Sequence, residues 1–343
     1  MRVRAITSAE EVAALPPVPG APPLDSARLR LTRPELHLVA TAGGPPGGTR
    51  DEVPLARASV WWGGDLALDG RRVGRIGHYA DCDAAAGAAV LDAAVGELRA
   101  RGCGVAVGPM DGSTWFSYRF VTDRRGECAD ALPPFALEPD QPDAWPARWA
   151  ARGFAPLASY FSSVVEDLTQ RDPRLDAVRA RLTAAGVTVR PLDPSAFDAE
   201  LDRIHAVAVT AFRQAFLYTP ADRATVHALY GAARALVVPD LVLLAEHDGR
   251  PVGFAFSVPD HLELARAGRA ATVIVKTVAV VPGRLTAGLG ALLTEETHHR
   301  AARLGMTRAV HALMHEGNAS LVISRRQGPV VRRYTLLQRP LDP

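Results

Sequence analysis

Cysteine is scarce in this 343-residue chain: Cys82, Cys103 and Cys128 are odd in number and lack metal-ligand spacing. That excludes a disulfide-framed scaffold and points to a reducing, cytoplasmic setting. Cys103, inside an apolar strand-like run, reads as a small buried hydrophobe. Charge of one sign is also lacking. Lys+Arg 39 against Asp+Glu 37 leaves a formal net charge of +2, which excludes a polybasic nucleic-acid binder. No apolar stretch reaches the ~18 residues of a membrane span, and the start, MRVRAITSAEEV, carries no signal-peptide run. There is no GxxxxGK[ST] phosphate loop and no HExxH. His298-His299 has no His/Cys partner at ligand spacing, so no metal site is expected. What remains is a soluble balance, 48% hydrophobic and 22% charged, in a chain long enough for two domains.

The second half carries a clear series of elements. Apolar residues at 197, 201, 204, 208 and 212 give a helical period, and 221–235 reads as a second helix opened by Thr219-Pro220-Ala221-Asp222. Strands 241–246 and 252–258 flank the turn His247-Asp248-Gly249-Arg250. A long β-branched strand at 271–281 precedes an amphipathic helix over 288–304, a strand at 308–315, a short helix at 318–326 and a last strand at 330–337. The first half repeats part of this: strand 73–79, helix 85–101, strand 104–107. Gly87 falls on Gly290 and Gly102 on Gly305 at one offset of 203 residues, which indicates duplication. Proline-rich stretches at 16–23, 43–46 and 133–146 read as surface loops.

The most informative stretch runs from Val278 to Gly290. A strand passes through a small-residue loop directly into a helix, which aims backbone N–H groups and a helix dipole at one spot, a seat for phosphate. Thr286 is the expected helix cap. Gly288 and Gly290 let a ligand approach the backbone, and Arg284 adds a cation.

With Val280-Val281-Pro282 as the strand end and Gly288 and Gly290 as the last two small positions, residues 195–339 resemble the GNAT superfamily of acyl-CoA-dependent acyltransferases. Leu285 stands where the family has Gln or Arg, and Thr286 replaces its usual first glycine. With Gly305, His311–Met314, Asn318 and Arg333-Tyr334, the pattern is similar to actinobacterial tandem-GNAT proteins. The resemblance implies an α/β (α+β) chain of two tandem GNAT-like domains, each a mixed, mostly antiparallel sheet flanked by helices. A degenerate domain is expected over 1–168, a linker helix and strand over 169–194, and an acyl-CoA-binding domain over 195–343.

The resemblance further implies a donor of acetyl-CoA or another acyl-CoA, or the phosphopantetheine of a carrier protein. Val280 would pair with the pantetheine arm, and the N–H of Val278 would face the thioester carbonyl. Backbone groups of Leu285, Thr286, Ala287, Gly288, Leu289 and Gly290, helped by Arg284, would hold the pyrophosphate, and Asn318 would touch the arm. In the first half Asp81 and Asp83 occupy that place. They would repel the anion and cap the helix instead, so that half is expected to have lost the cofactor.

The usual tyrosine acid is missing, since Ser324 and Arg325 stand there, which leaves Tyr334 or water. His311 and His315, alternating onto one strand face, are the base candidates, with a structural role as the ordinary alternative. The resemblance implies that the segment with Phe212, Phe216 and Tyr218 borders the acceptor, with core packing as the ordinary alternative, and Trp115, Tyr118 and Arg119 form an aromatic–cation group. The expected reaction is N-acylation of a small-molecule amine. Two readings compete with it: a carrier-protein- or tRNA-bound donor, and a non-catalytic binding module. Neither nucleic acid in general nor a membrane is an expected partner.

Overall fold

The computed structural model describes residues 1–42, 53–231, 234–317 and 328–341. The helix expected at 318–326, with Asn318, and the loop at 43–46 lie outside the described residues. The chain divides into unit 1 (Met1–Thr122, Pro139–Ser159 and Tyr334–Pro343) and unit 2 (Asp123–Glu138 and Tyr160–Arg333).

In unit 1 the elements are β1 (Arg2–Ile6), α1 (Ala9–Ala13), α2 (Ser26–Thr32), β2 (Leu36–Thr41), β3 (Ala56–Trp61), β4 (Ala67–Leu68), β5 (Arg71–Asp81), α3 (Ala84–Ala100) and β6 (Val105–Gly108). β7 (Phe120–Asp123) leads out of the unit, and α4 (Ala144–Ala150) precedes β8 (Ala155–Val165), which ends in unit 2. Strands β1, β2, β3 and β5 pair antiparallel in that order, and β5 then pairs parallel with β6. Helix α3 buries Ala86, Val90, Leu91, Ala94, Val95 and Leu98, spaced three and four apart, in the unit's main core. Cys103 is buried there as expected.

Unit 2 continues with α5 (Arg174–Ala184), β9 (Thr188–Pro191), α6 (Phe197–Ala211), α7 (Arg223–Gly231), β10 (Val242–His247), β11 (Arg250–Pro259), α8 (His261–Ala267), β12 (Thr272–Val280), α9 (Leu289–Arg303) and β13 (Arg308–His315). The last strand, β14 (Val330–Pro340), carries the chain back into unit 1. Strand order in unit 2 is β8-β13-β12-β11-β10-β9, antiparallel except for the parallel β12–β13 pair. The hairpin turn carries Asp248 at φ 50° and Gly249 at φ 72°, the double positive φ that matches the strand twist. Leu289, Leu292 and Leu293 of α9 meet Leu243, Ala245, Ala255 and Leu182 in a core that Val278 and Val280 join.

The contiguous boundaries expected from the sequence differ from these units in four places, the first being Asp123–Glu138, which belongs to unit 2. Residues 160–168 and the expected linker over 169–194 belong to unit 2, where β9 is a paired strand, while 334–343 belong to unit 1, where β14 pairs with β6. Sheet edges need hydrogen-bond partners, and a strand distant in sequence meets that need as well as a neighbour does. Helix α8, with no buried residue, carried no periodic signal and was not anticipated.

Candidate functional site

β12 and β13 begin as partners and then part. Their parallel register runs Thr272↔Arg308, Val273↔Ala309, Ile274↔Val310 and Val275↔His311, and goes no further. Above that point β12 stays with β11 and β13 stays with β8, so a fork opens between residues 276–280 and 312–315. Two irregularities mark its sides. On β12, Phe256 pairs with Thr277 and Ser257 with Val275, so Lys276 is an extra residue, and its ammonium reaches the Leu137 carbonyl at 3.4 Å. On β13 the register shifts between His311 and Met314, and Leu313 has φ 61°.

At the top of β12 the chain turns through Val281–Gly288 into α9. Thr286 does not cap the helix, as the sequence suggested. Its hydroxyl donates back to the carbonyls of Val281 at 2.7 Å and Gly283 at 3.1 Å, folding the loop on itself. Gly288 is the cap residue instead, with φ 80° and no side-chain bond. A Cβ there would sit 2.8 Å from Val178 of α5. Both facts require glycine, so Gly288→Ala should cost about 1–3 kcal/mol, read as a lower unfolding midpoint in urea.

Arg284, Ala287 and Gly288 are exposed, while Leu285 is half-buried and packs on the α9 core. Of the N–H groups here, Leu289 donates to Thr286 and Leu292 to Gly288. Those of Leu285, Thr286, Gly288, Gly290 and Ala291 meet no acceptor among the described residues. Five N–H groups without a backbone acceptor, in and just before the first turn of a 15-residue helix, suit a diphosphate.

The same region of unit 1 is filled. Only residues 82–83 separate β5 from α3 in unit 1, whereas residues 281–288 separate β12 from α9 in unit 2. Asp83 caps α3 by accepting from the Ala86 N–H at 2.8 Å. Asp81 is no cap. It is buried against the Tyr79 hydroxyl and the Arg148 guanidinium, beside Gly87. The fork is closed too: the Met110 N–H donates to the Ile76 carbonyl at 2.8 Å, and the His78 N–H to Asp111 Oδ1 at 2.6 Å. Here the chain's own carboxylates and backbone occupy what unit 2 leaves open. Arg119 is 5% exposed and lies over the Tyr118 ring, a packed pair.

The remaining candidates separate. His311 is 4% exposed, and its Nε2 lies 2.9 Å from Nε2 of His298 on α9. Burial pushes His311 down to about 4. Burial, then the His311 and His299 rings, pushes His298 to about 3. Both rings are therefore neutral at pH 7, one donating to the other, and the geometry gives His311 a packing role. His315 does not share its face by simple alternation, because the left-handed Leu313 breaks the period of two. The His315 ring stacks on Phe216 (centroids 5.6 Å apart, 29°) and meets Tyr160 edge-on at 5.0 Å. Its Nδ1 accepts from the Gly317 N–H at 3.0 Å, so the neutral ring carries its proton on Nε2 and acts as a donor there. Tyr334 is 1% exposed and belongs to unit 1.

Sequence reasoning missed Arg181 of α5. Its guanidinium donates to the Leu285 carbonyl at 2.9 Å and to that of Ala287, with a longer approach of 3.5 Å to Arg284. No local signal marks a contact between residues more than 100 positions apart.

No family model and no curated protein matches the sequence. Solved structures do match. A tandem GNAT protein from the clavulanic acid biosynthesis pathway, solved without AcCoA, is 14% identical over 100% of this chain and 99% of that one, with a TM-score of 0.51. A GCN5-related N-acetyltransferase from Anabaena variabilis is 10% identical over 99% of this chain and 73% of that one, at 0.53. The glucosamine N-acetyltransferase region of a fungal multi-domain GH3 β-N-acetylglucosaminidase is 14% identical, at 0.53, and the match covers 98% of this chain and 38% of that one. At these identities the likeness concerns the fold: the chain has the mixed α/β fold of GNAT proteins in tandem.

Proposed function

We propose that the chain is an N-acyltransferase that moves an acetyl or other acyl group from a CoA thioester to the amine of a small molecule. One observation carries the reading: the β12–β13 fork opens beside a partly exposed loop, five of whose N–H groups meet no acceptor among the described residues, while unit 1 has both places filled. The N–H groups of Leu285, Thr286, Gly288, Gly290 and Ala291 hold the pyrophosphate, with Arg284 as an added cation. Val278 and Val280 line the fork, and the Val278 N–H faces the thioester oxygen, where one oriented donor is worth ~3 kcal/mol of barrier. The donor molecule supplies the activated acyl carbon. The proton that the attacking amine loses passes through water to the departing thiolate, and the neutral His315 ring, with its proton on Nε2, offers a hydrogen bond there in place of the missing tyrosine hydroxyl. Phe216 and Tyr160 hold that ring. The protein acts in the cytoplasm, in keeping with its free cysteines. Among the described residues no helix is long and apolar enough to cross a membrane.

Calorimetry with acetyl-CoA tests this directly. Saturable binding well below millimolar is expected, and no heat at millimolar ligand would remove the assignment. A second reading, a carrier-protein-bound donor, draws on Leu285. Its side chain packs inward, so it adds no polar group for the nucleotide end. Turnover with a loaded carrier exceeding that with free CoA esters would favour it.

A further inference from the structure

We infer that Arg181 is a positioning residue that aims the loop's N–H groups outward by gripping its carbonyls from behind. This rests on the diphosphate seat proposed above. A trans peptide is planar, so its C=O and N–H point in opposite directions. The Leu285 carbonyl belongs to the same peptide as the Thr286 N–H, and the Ala287 carbonyl to the same peptide as the Gly288 N–H. The guanidinium takes both carbonyls in one planar fork and reaches toward that of Arg284, whose peptide carries the Leu285 N–H. Holding those oxygens toward α5 turns three N–H groups away from it, and those three have no acceptor among the described residues.

Helix α5 is seated for the task. Leu182, 1% exposed, joins the core formed by Leu289 and Leu292, and Val178 abuts Gly288. Residues 178, 181 and 182 fall on one helix face, which brings the guanidinium under the loop. Neighbouring arginines differ in kind: Arg174 pairs with Asp172 and Arg179 with Glu295. Among the described residues no carboxylate lies within ion-pair distance of Arg181, so its charge stays unneutralised behind the anion seat. A hydrogen bond to each carbonyl also polarises that peptide and strengthens its N–H as a donor. The loop departs from its family's glycine pattern at Leu285 and Thr286. Thr286 within the loop and Arg181 outside it hold the shape that the glycines would otherwise permit.

Two ligands separate this role from simple stability. Acetyl-CoA carries the pyrophosphate, whereas acetyl-pantetheine has the same arm and thioester without it. Arg181→Ala should weaken acetyl-CoA about 10- to 100-fold, the scale of losing charge-assisted bonds, and leave acetyl-pantetheine affinity unchanged. Arg181→Lys, which keeps the charge but not the fork, should fall between, and it serves as the informative variant if the alanine form does not fold. Equal acetyl-CoA affinity in wild type and variant, or equal weakening of both ligands, would overturn the inference. Wild-type protein that binds neither ligand would overturn the diphosphate seat itself, and this role with it.

Discussion

Gly290→Asp should abolish acetyl-CoA binding while leaving the protein as stable as before, or slightly more so. Gly290 is the second residue of α9, and a Cβ there would meet only Val280 and Val278 at 3.7 and 3.8 Å, ordinary contact distances. The substitution removes a helix glycine, worth roughly 0.5–1 kcal/mol, and places a carboxylate at the positive end of the helix dipole, worth about 0.3–1 kcal/mol more. That same carboxylate stands where a diphosphate would sit. Like charges about 4 Å apart near a protein surface repel by roughly 4 kcal/mol, so affinity should drop more than about 100-fold. Unit 1 also carries a carboxylate at a helix start, though at the cap position itself, where Asp83 accepts from the Ala86 N–H of α3. Calorimetry and thermal unfolding on one sample decide the matter. If Gly290→Asp still bound acetyl-CoA like wild type, the anion would have to lie elsewhere. Lower stability would instead mean that the modest contacts at this position had been misjudged. Gly288 cannot serve for this experiment, since its positive φ and its contact with Val178 confound binding with folding.

The second large effect is on stability as pH falls. Burial holds His311 and His37 down to about 4 and His298 to about 3, with His78 adding to the shift on His37 and His311 to that on His298. In the unfolded chain each ring titrates near the ordinary 6.5. Between those values the unfolded state binds more protons than the folded one, so stability rises with pH. The contribution is complete above about 6.5 and is lost as pH drops through 4 toward 3. Each of His37 and His311 should account for about 2 kcal/mol between pH 7 and pH 5, at 1.36 kcal/mol per pH unit of displaced titration. Few surface carboxylates titrate above pH 5, which isolates the histidine effect. Urea unfolding at pH 7, 6 and 5 should therefore show the midpoint moving down steadily. His298→Gln keeps a donor for His311 and has no titration of its own, so it should flatten the slope. A wild-type midpoint constant across this range would show that the pair admits water and protons when folded.

Periodicity and spacing determined a good part of this protein. Apolar residues three and four apart marked α3, α6 and α9 within a few residues of their ends, and the Asp248-Gly249 turn marked its hairpin. The shared offset of Gly87 with Gly290 and Gly102 with Gly305 disclosed two copies of a strand–helix–strand unit. The run from Val278 to Gly290 marked the passage from β12 into α9 on which the proposed phosphate seat rests. All of these are local: each follows from which face of one element is buried, or from which residues tolerate one backbone angle.

Tertiary structure decided what depends on partners. β14 completes the sheet of unit 1 although it follows all of unit 2 in sequence, because hydrogen-bonding edges do not register chain order. The bulge at Lys276 and the left-handed Leu313 interrupt the strand period, so His311 turned out to pack against His298, apart from His315. Tyr334 was placed in unit 1. Arg181 found its carbonyls across more than 100 residues, and Asp81 found Arg148 rather than a helix end. Side-chain patterning reports how one segment meets a core. Which segments meet each other is settled only when backbone hydrogen bonds and buried charges across the whole chain are satisfied together.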